Sequence, residues 1–210
     1  MQANFYLDVR ILPTGDDTDL QIEHIRNQIY AVLHGCFRHK PHTFALALAR
    51  SSKGEVEAIQ RIQEGREQPK ARRRYPVYDI LRIFAPMLAD LQWLRQELQQ
   101  HWKVRGYAEV KEVQQVLQTD AWQSFRRFRI PVEKHDRKLE YNQQQGIKSL
   151  HERRLEQAKL LPYLRVKSKS TDGQQFTVIV DVQQAEHAGD GLPDGYGLAR
   201  ASQPFALPHF

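Results

Sequence analysis

Cysteine is nearly absent from this sequence, because Cys36 is the only one among its 210 residues. A single thiol cannot form an intramolecular disulfide, so the sequence favours a reducing compartment such as the cytoplasm. Long apolar runs are missing too: no window of about 18 apolar residues occurs, which argues against a membrane-spanning helix. The N-terminal stretch MQANFYLDVRILP carries charge within its apolar part, unlike a signal peptide. We therefore expect a cytoplasmic protein that has no membrane partner.

The signatures of several cofactor and metal enzymes are also missing. The sequence contains no Walker loop and no dinucleotide fingerprint, so neither ATP nor NAD is expected. It contains no GxSxG elbow for a serine nucleophile and no CxxC or HExxH pattern for zinc. A metal site is nevertheless a competing interpretation of four potential ligands that lie close in sequence: His34, Cys36, His39 and His42. Without a supporting pattern, we expect no metal and no other cofactor.

Positive charge, by contrast, is abundant and unevenly distributed. The chain has 31 Lys and Arg against 25 Asp and Glu, a net charge of +6, and its pI is about 9.5. The excess is concentrated between Trp122 and Ser170, where 13 basic and five acidic residues give a local charge of +8. A single basic sector is typical of a phosphate-binding surface, and nucleic acid is the commonest anionic partner.

The first half of the sequence alternates between strand and helix patterns. Its predicted elements are, in order, a strand over 4–12, a helix over 20–38, strands over 43–49 and 77–84, a helix over 85–102 and a strand over 104–113. This order predicts a ferredoxin-like split βαβ fold for residues 1–114. The polar, basic stretch 51–76 is predicted to be a loop insertion that holds a short helix.

The second half of the sequence has a different character. Residues 120–159 are basic and largely helical in propensity, and Pro131 and Gly146 interrupt them. The stretch 164–182 then contains two strand patterns joined by a TDGQ turn, which predicts a hairpin. We therefore predict an α+β protein, with the ferredoxin-like domain over 1–114 followed over 115–210 by a basic helical segment and a C-terminal β-hairpin region.

The first strand of that hairpin changes character halfway along. Leu164 and Val166 alternate as a buried face should, but the next residues on the same face are Ser168 and Ser170. The opposite face carries three cations, Arg165, Lys167 and Lys169. The serines are either the end of a strand that passes into its turn or part of a functional surface.

His34 lies on the polar side of the predicted first helix. On a helical wheel it is about 155° from the centre of the apolar stripe. Its neighbours on that side are Glu23, Asn27, Tyr30 and Arg38. His34 is therefore either a solvated side chain near the helix C-terminus, where the helix dipole favours a cation, or a functional group.

The stretch FRRFRIP interleaves aromatic rings with guanidinium groups. Arginine can contact guanine edges, and aromatic rings can stack on unpaired bases. The alternative is a solvated charged surface.

Four stretches of the chain, in this order, resemble the type I-F CRISPR repeat-RNA endoribonucleases: NFYLDVRILP, AVLHGCF, LRVKSKSTDGQQF and GYGLARASQPFALPHF. The resemblance implies a metal-independent endoribonuclease that binds the repeat hairpin of precursor CRISPR RNA (pre-crRNA) and cuts at the base of the hairpin. It implies attack by a ribose 2′-OH on the adjacent phosphate, which leaves a 2′,3′-cyclic phosphate and a 5′-OH. It also implies that the protein stays on the mature crRNA with other subunits of a CRISPR interference (surveillance) complex.

The resemblance further implies roles for individual residues. His34 would transfer a proton, Ser168 would hold the 2′-OH and ribose, and Ser170 would assist in the same pocket. Tyr196 of the YGL motif would position His34 or the scissile nucleotide, and Phe176 would stack on the base pair that closes the stem. The remaining residues expected to bind RNA are cationic: Arg126, Arg127, Arg129, Lys134, Arg137, Lys138, Lys148, Arg153, Arg154, Lys167 and Lys169. Residues 115–210 would then be an RNA-binding domain.

Whether His34 acts as a base or as an acid is left open by the sequence. A helix C-terminus and nearby phosphates would favour its protonated form, which suits an acid. Two alternative functions also remain: a catalytically silent subunit that binds the crRNA hairpin, and a generic ferredoxin-like RNA-binding protein. The silent subunit would bind repeat RNA without cleaving it, whereas the generic protein would show no preference for the hairpin.

Overall fold

The structure is a computed structural model that describes residues 1–12, 19–53, 55–56, 59–60, 63, 78–132, 148–167 and 174–210. Its strands are β1 (Phe5–Ile11), β2 (Ala45–Ala49), β3 (Ile80–Ala85), β4 (Ala108–Val110), β5 (Gln114–Gln115), β6 (Trp122–Phe128), β7 (Tyr163–Lys167), β8 (Gln175–Ala185) and β9 (Leu207–Pro208). Its helices are α1 (Asp19–His39), α2 (Leu88–Gln100), α3 (Trp102–Tyr107) and α4 (Leu150–Ala158). The described residues between 52 and 63 are helical, and most of the 51–76 insertion lies outside the described part of the chain.

The first sheet has the strand order β2-β3-β1-β4, with β5 also paired to β1, and the pairings are antiparallel. This order, with α1 after β1 and α2 after β3, confirms the predicted ferredoxin-like arrangement. Alternation along β1 sends Leu7, Val9 and Ile11 into the core, where each is at most 2% exposed. The overall α+β class is likewise confirmed.

The opposite face of the first sheet carries a charged pair that is covered by the C-terminus. Arg82 forms a two-pronged ion pair with Asp8, with distances of 2.7 and 2.8 Å. The Arg82 guanidinium also lies 4.9 Å from the Tyr6 ring centre and 4.4 Å from that of Phe210. Two residues of the N-terminal YLD stretch therefore anchor the end of the chain.

The second sheet has the order β7-β8-β6-β9 and is antiparallel. The predicted hairpin is confirmed: β7 pairs with β8, with Leu164 opposite Val178 and Val166 opposite Phe176. Leu164, Val166 and Val178 are at most 1% exposed, so this face of the hairpin belongs to the core.

Two element predictions were wrong. Residues 104–107, predicted as strand, are helical and belong to α3, because Val104 is fully buried in a single helical turn and the strand begins only at Ala108. Residues 122–128, predicted as largely helical, form β6, which pairs along its whole length with β8. Tertiary pairing overrides local propensity at β6, since the strand lies inside the sheet with β9 on its other edge.

Helix α1 lies between the two sheets. Its apolar stripe packs on the first sheet, with Ile29 and Leu33 fully buried. Its polar side meets β7: the Tyr163 hydroxyl donates to Glu23 at 3.3 Å, and the Arg165 backbone N–H donates to the Asn27 side-chain oxygen at 3.1 Å. The polar side of α1 is therefore an internal interface that joins the two halves of the chain.

A buried arginine strengthens the same interface. Arg26 is fully buried, and its guanidinium donates to the backbone carbonyls of Tyr78 and Tyr163, each at 3.1 Å. Because Tyr78 precedes the first sheet's β3 and Tyr163 begins the second sheet's β7, one side chain ties both halves to α1. In the described part of the chain no helix is long and apolar enough to cross a membrane.

Candidate active site

His34 lies near the end of α1, where the helix passes the C-terminal segment of the chain. Its ring is half-buried and stacks on the Tyr196 ring, with the centroids 5.2 Å apart and the planes 5° from parallel. Tyr30, one turn earlier, lies with its ring 6.2 Å from that of His34. His34 is therefore packed against aromatic rings and is only partly exposed to solvent.

Four backbone interactions hold Tyr196 in place. The Tyr30 hydroxyl donates to the Tyr196 carbonyl at 3.0 Å. The Tyr196 and Leu198 N–H groups both donate to one carboxylate oxygen of Asp194, at 2.9 and 3.0 Å. The Leu46 N–H of β2 donates to the Gly197 carbonyl at 2.8 Å. The turn that carries Tyr196 is thus attached to both α1 and the edge of the first sheet.

The conformation and packing of the turn require glycine at position 197. Its φ is 78°, in the left-handed region that favours glycine. A Cβ at this position would lie 2.9 Å from Cε2 of Phe37 and 3.1 Å from Cβ of Leu46. Both the backbone angle and the close approach of the turn to the core therefore require glycine.

The environment of His34 favours its neutral form. Burial lowers the pKa of the imidazole below its ordinary value, and the positive charge of Arg38 lowers it further. Burial also raises the pKa of Tyr30 well above its ordinary value, so its hydroxyl stays protonated and continues to donate to Tyr196. At neutral pH the site thus presents an uncharged imidazole that can accept a proton.

Two residues that the sequence analysis predicted to bind RNA contact the Tyr196 ring. Phe176 meets it edge to face, with the centroids 5.9 Å apart at 83°. The Arg127 guanidinium carbon lies 5.3 Å from the ring centre. The structure therefore brings His34, Tyr196, Phe176 and Arg127 together, although the sequence separates them by as much as 162 positions.

The other described RNA-binding candidates either contact residues other than Tyr196 or are exposed. Arg126, on the opposite face of β6, donates to Gln183 and lies 3.6 Å from Asp181. Lys148 forms an exposed ion pair with Glu156 at 2.6 Å. The Arg154 guanidinium carbon lies 4.0 Å from the Phe128 ring centre, and Arg129 and Arg153 are exposed.

Several predicted residues lie outside the described part of the chain. These are Lys134, Arg137, Lys138, Ser168, Lys169 and Ser170, together with the side chain of Lys167. Strand β7 ends at Lys167, so the chain enters the Ser168 segment directly from this strand.

The four residues considered as metal ligands have separate environments. Burial, together with nearby Glu97, raises the pKa of the Cys36 thiol to about 11, so it is protonated at neutral pH. His42 donates from Nδ1 to the Pro193 carbonyl at 2.7 Å. Among the residues that the structure describes, no three His, Cys, Asp or Glu side chains form a group that could hold a metal ion.

Sequence reasoning missed Tyr30 and Asp194 as supports of the site. The signal for Asp194 was present, because PDGYG is a turn sequence in which an Asp side chain commonly accepts a bond from the backbone two residues on. The signal for Tyr30 was its place one turn before His34 on the same side of α1.

The fold and the site together define an α+β protein with a ferredoxin-like half and a histidine-centred candidate active site beside a basic sheet. The chain matches the family model described as CRISPR-associated protein (Cas_Csy4) over residues 6–210, and it therefore belongs to that family. This is the type I-F family of CRISPR endoribonucleases, so the protein is a CRISPR-associated pre-crRNA-processing protein that binds CRISPR repeat RNA. A comparison with curated proteins found no match to the chain.

Proposed function

We propose that this protein cuts pre-crRNA at the base of the repeat hairpin without a metal ion, by attack of a ribose 2′-OH on the adjacent phosphate. The observation that carries the proposal is the half-buried His34 ring, stacked on Tyr196 and neutral at pH 7. RNA supplies its own nucleophile, so the protein needs to supply only alignment and proton transfer. His34 and its aromatic supports can do both.

In this mechanism the bond between the 2′-oxygen and phosphorus forms while the bond between phosphorus and the 5′-oxygen breaks. The products are a 2′,3′-cyclic phosphate and a 5′-OH. We assign His34 the role of general base, because its neutral imidazole can accept the proton that leaves the 2′-OH. The 5′-oxygen takes its proton from water or from the imidazolium that the first step forms.

Ser168 and Ser170 would hold the attacked nucleotide. Glu23 meets Tyr163 and Asn27 meets Arg165, so α1 and β7 advance in the same direction. His34 lies further along α1 in this direction, and Ser168 follows the end of β7 in the sequence. This shared direction supports a ribose contact by Ser168, with Ser170 assisting and Tyr196 keeping the imidazole aligned.

The remaining predicted residues would bind the hairpin itself. Phe176 lies at the edge of the Tyr196 ring, where a base pair that closes the stem could stack on it. The exposed Arg129 and Arg153 are available for phosphate contacts, which supply most of the salt-dependent affinity. With such contacts the protein would retain its product in the interference complex, and we assign it to the cytoplasm, where a lone protonated thiol is not at risk of disulfide formation.

The test combines a substrate change with an analysis of the product ends. The protein is mixed with its cognate repeat RNA in EDTA, beside RNA that carries a 2′-deoxy at the scissile nucleotide. We expect cleavage of the all-ribose RNA only, with a cyclic phosphate end and a yield near one equivalent per protein. Loss of cleavage in EDTA would contradict metal independence, and binding without cleavage in every sample would indicate a silent subunit.

A further inference from the structure

His42 is held in an unusual backbone conformation. Its φ is 62°, and no other residue except glycine has a positive φ in the described part of the chain. This region is sterically unfavourable for most side chains, although histidine occurs there more often than bulky or β-branched residues do. His42 is exposed, so packing of its side chain in the core does not enforce the conformation. Another contact must therefore stabilise it.

The imidazole of His42 makes such a contact. Its Nδ1 lies 2.7 Å from the carbonyl oxygen of Pro193. A carbonyl oxygen can only accept, so Nδ1 carries a proton and donates it to this bond. Pro193 is buried and lies 151 positions further along the chain. The bond therefore joins the link between α1 and β2 to the segment that leads into the Tyr196 turn.

The Pro193 carbonyl is part of the peptide group that begins this turn. Because a peptide group is planar, the direction of the Pro193 carbonyl also sets the direction of the Asp194 N–H. That N–H donates to the Leu198 carbonyl at 2.9 Å, while the Asp194 carboxylate accepts the N–H groups of Tyr196 and Leu198. A bond that orients the Pro193 carbonyl therefore orients the residue that closes the turn around Tyr196.

The same link between α1 and β2 also holds the other end of the turn. The Leu46 N–H donates to the Gly197 carbonyl at 2.8 Å, four residues after His42 in the chain. The link is itself well packed, since Phe44 is only 2% exposed and its ring stacks on that of Phe37, with the centroids 5.5 Å apart. One short, packed stretch of chain therefore clamps the turn from both ends.

This stretch begins just beyond the helix that carries His34. Helix α1 ends at His39, three residues before His42. The His34 imidazole and the Tyr196 ring on which it stacks are thus positioned by one continuous segment, the first through α1 and the second through the His42 bond. Such alignment matters, because a displacement of about 1 Å in a catalytic group can cost about 10²-fold in rate.

We infer that His42 is a positioning residue for RNA cleavage: it holds the Tyr196 turn through the Pro193 carbonyl, and the turn in turn aligns His34. This inference rests on the proposed function and adds a residue to it. His42 exchanges no atoms or protons in the reaction. Its strained backbone is retained because glycine, which would relieve the strain, has no ring to reach Pro193.

A matched pair of variants tests the hydrogen bond. Asparagine and aspartate have nearly the same shape and both tolerate a positive φ, but only asparagine has an N–H to donate. We expect the single-turnover cleavage rate at saturating protein to stay within about threefold of the wild type for His42→Asn and to fall about 10-fold for His42→Asp. His39→Asp makes the same change at an exposed histidine in the last turn of α1 and should cleave at the wild-type rate.

A glycine variant separates alignment from stability. His42→Gly loses the hydrogen bond but relieves the backbone strain, so its melting temperature should change little. Its cleavage rate should nevertheless fall about 10-fold, with an unchanged Kd for the uncleavable 2′-deoxy repeat RNA. In a Tyr196→Ala background the same change should cost less than about twofold, because the ring through which His42 acts is gone.

Three results would overturn the inference. They are equal rates for His42→Asn and His42→Asp, a full 10-fold loss from His42→Gly in the Tyr196→Ala background, and a weaker Kd with a normal rate, which would make His42 an RNA-binding residue. A wild type that cleaves all-ribose RNA beside a His42→Gly variant of equal rate would remove this inference alone. A wild type that fails to cleave would remove the proposed function as well.

Discussion

At the scale of single residues, the burial of a helical side chain depends on which residues cover its face of the helix. The helical wheel correctly separates His34 from the apolar stripe of α1, but no wheel can show that the polar side is covered by β7 and the Tyr196 turn. Burial then lowers the pKa of His34, whereas a helix C-terminus and phosphates would raise it. Tyr196, whose ring stacks on the imidazole, is 162 residues away in sequence, whereas Arg38, whose charge also lowers the pKa, lies one turn further along α1.

The stack on His34 predicts how Tyr196 tolerates substitution. Tyr196→Phe keeps the ring and the backbone contacts, so its single-turnover cleavage rate should stay within a few-fold of the wild type. Tyr196→Ala removes the surface on which the imidazole is aligned, and roughly a 10²-fold loss of rate is expected for such misplacement. If Phe and Ala reduced the rate equally, the hydroxyl would be the active part of the residue and the stacking account would be wrong.

The lowered pKa of His34 predicts a pH dependence with a definite sign. In the free protein the imidazole is protonated only below a pKa that lies under 6.5, and a protonated imidazole cannot accept the 2′-OH proton. The second-order rate constant of single-turnover cleavage at subsaturating protein, which reports the free enzyme as kcat/KM does, should therefore rise with pH at the acidic end, with a midpoint below pH 6.5. A rate constant that falls as the pH rises through this range would identify His34 as the acid.

At the scale of elements, the turn 194–198 is the part of the fold that positions Tyr196 in the candidate site. It is fixed from three directions: by the Asp194 carboxylate, by the Tyr30 hydroxyl and by the Leu46 N–H of β2. A loop with this many bonds holds its central side chain more accurately than a free loop would. These contacts give the YGL motif a structural role in the turn.

Two glycines in this turn provide a matched test. Gly197→Ala would strain a backbone with φ of 78° and force a Cβ to within 2.9 Å of Phe37, so we expect a loss of about 1–3 kcal/mol in stability and a slower cleavage rate. Gly195→Ala is the control, since a Cβ there meets nothing within 4 Å. Thermal denaturation and cleavage of both variants check this, and equal effects would contradict the assigned role of Gly197.

The elements differ in how well their sequences predict them. The apolar stripe of α1 and the alternation in β1 and β7 are decided by local burial, and their positions were predicted within a few residues. The strand β6 was not predicted. Its FRRF stretch has two adjacent arginines that point to opposite faces, and pairing with β8 stabilises this arrangement. The same feature hid the distinction between Arg126 and Arg127.

At the scale of the whole molecule, α1 makes the two halves depend on each other. Buried residues of both sheets belong to one continuous cluster, which includes Leu7 and Leu46 of the first sheet and Leu164 and Val180 of the second. Arg26 and Asn27 add polar contacts from the helix to both halves. Residues 1–114 and 115–210, the two predicted domains, thus both contribute to one core.

A shared core predicts that the halves unfold together. Variants that keep only Trp93 or only Trp122 report on the first and second halves respectively, and their denaturation midpoints should coincide. Asn27→Ala leaves the Arg165 N–H without its acceptor and should lower both midpoints by the same amount, at a cost of about 1 kcal/mol. Two separate transitions would show that the predicted domains are independent.

The central claim is that the imidazole of His34, held against Tyr196, transfers the proton in a cleavage reaction that needs no metal. Its most direct test is the single-turnover cleavage rate of His34→Ala in EDTA, beside its Kd for the 2′-deoxy repeat RNA. We predict that the rate falls by about 10²- to 10⁴-fold, the usual contribution of a general base, while the Kd is unchanged. Cleavage of the all-ribose RNA by His34→Ala at the wild-type rate would contradict the account.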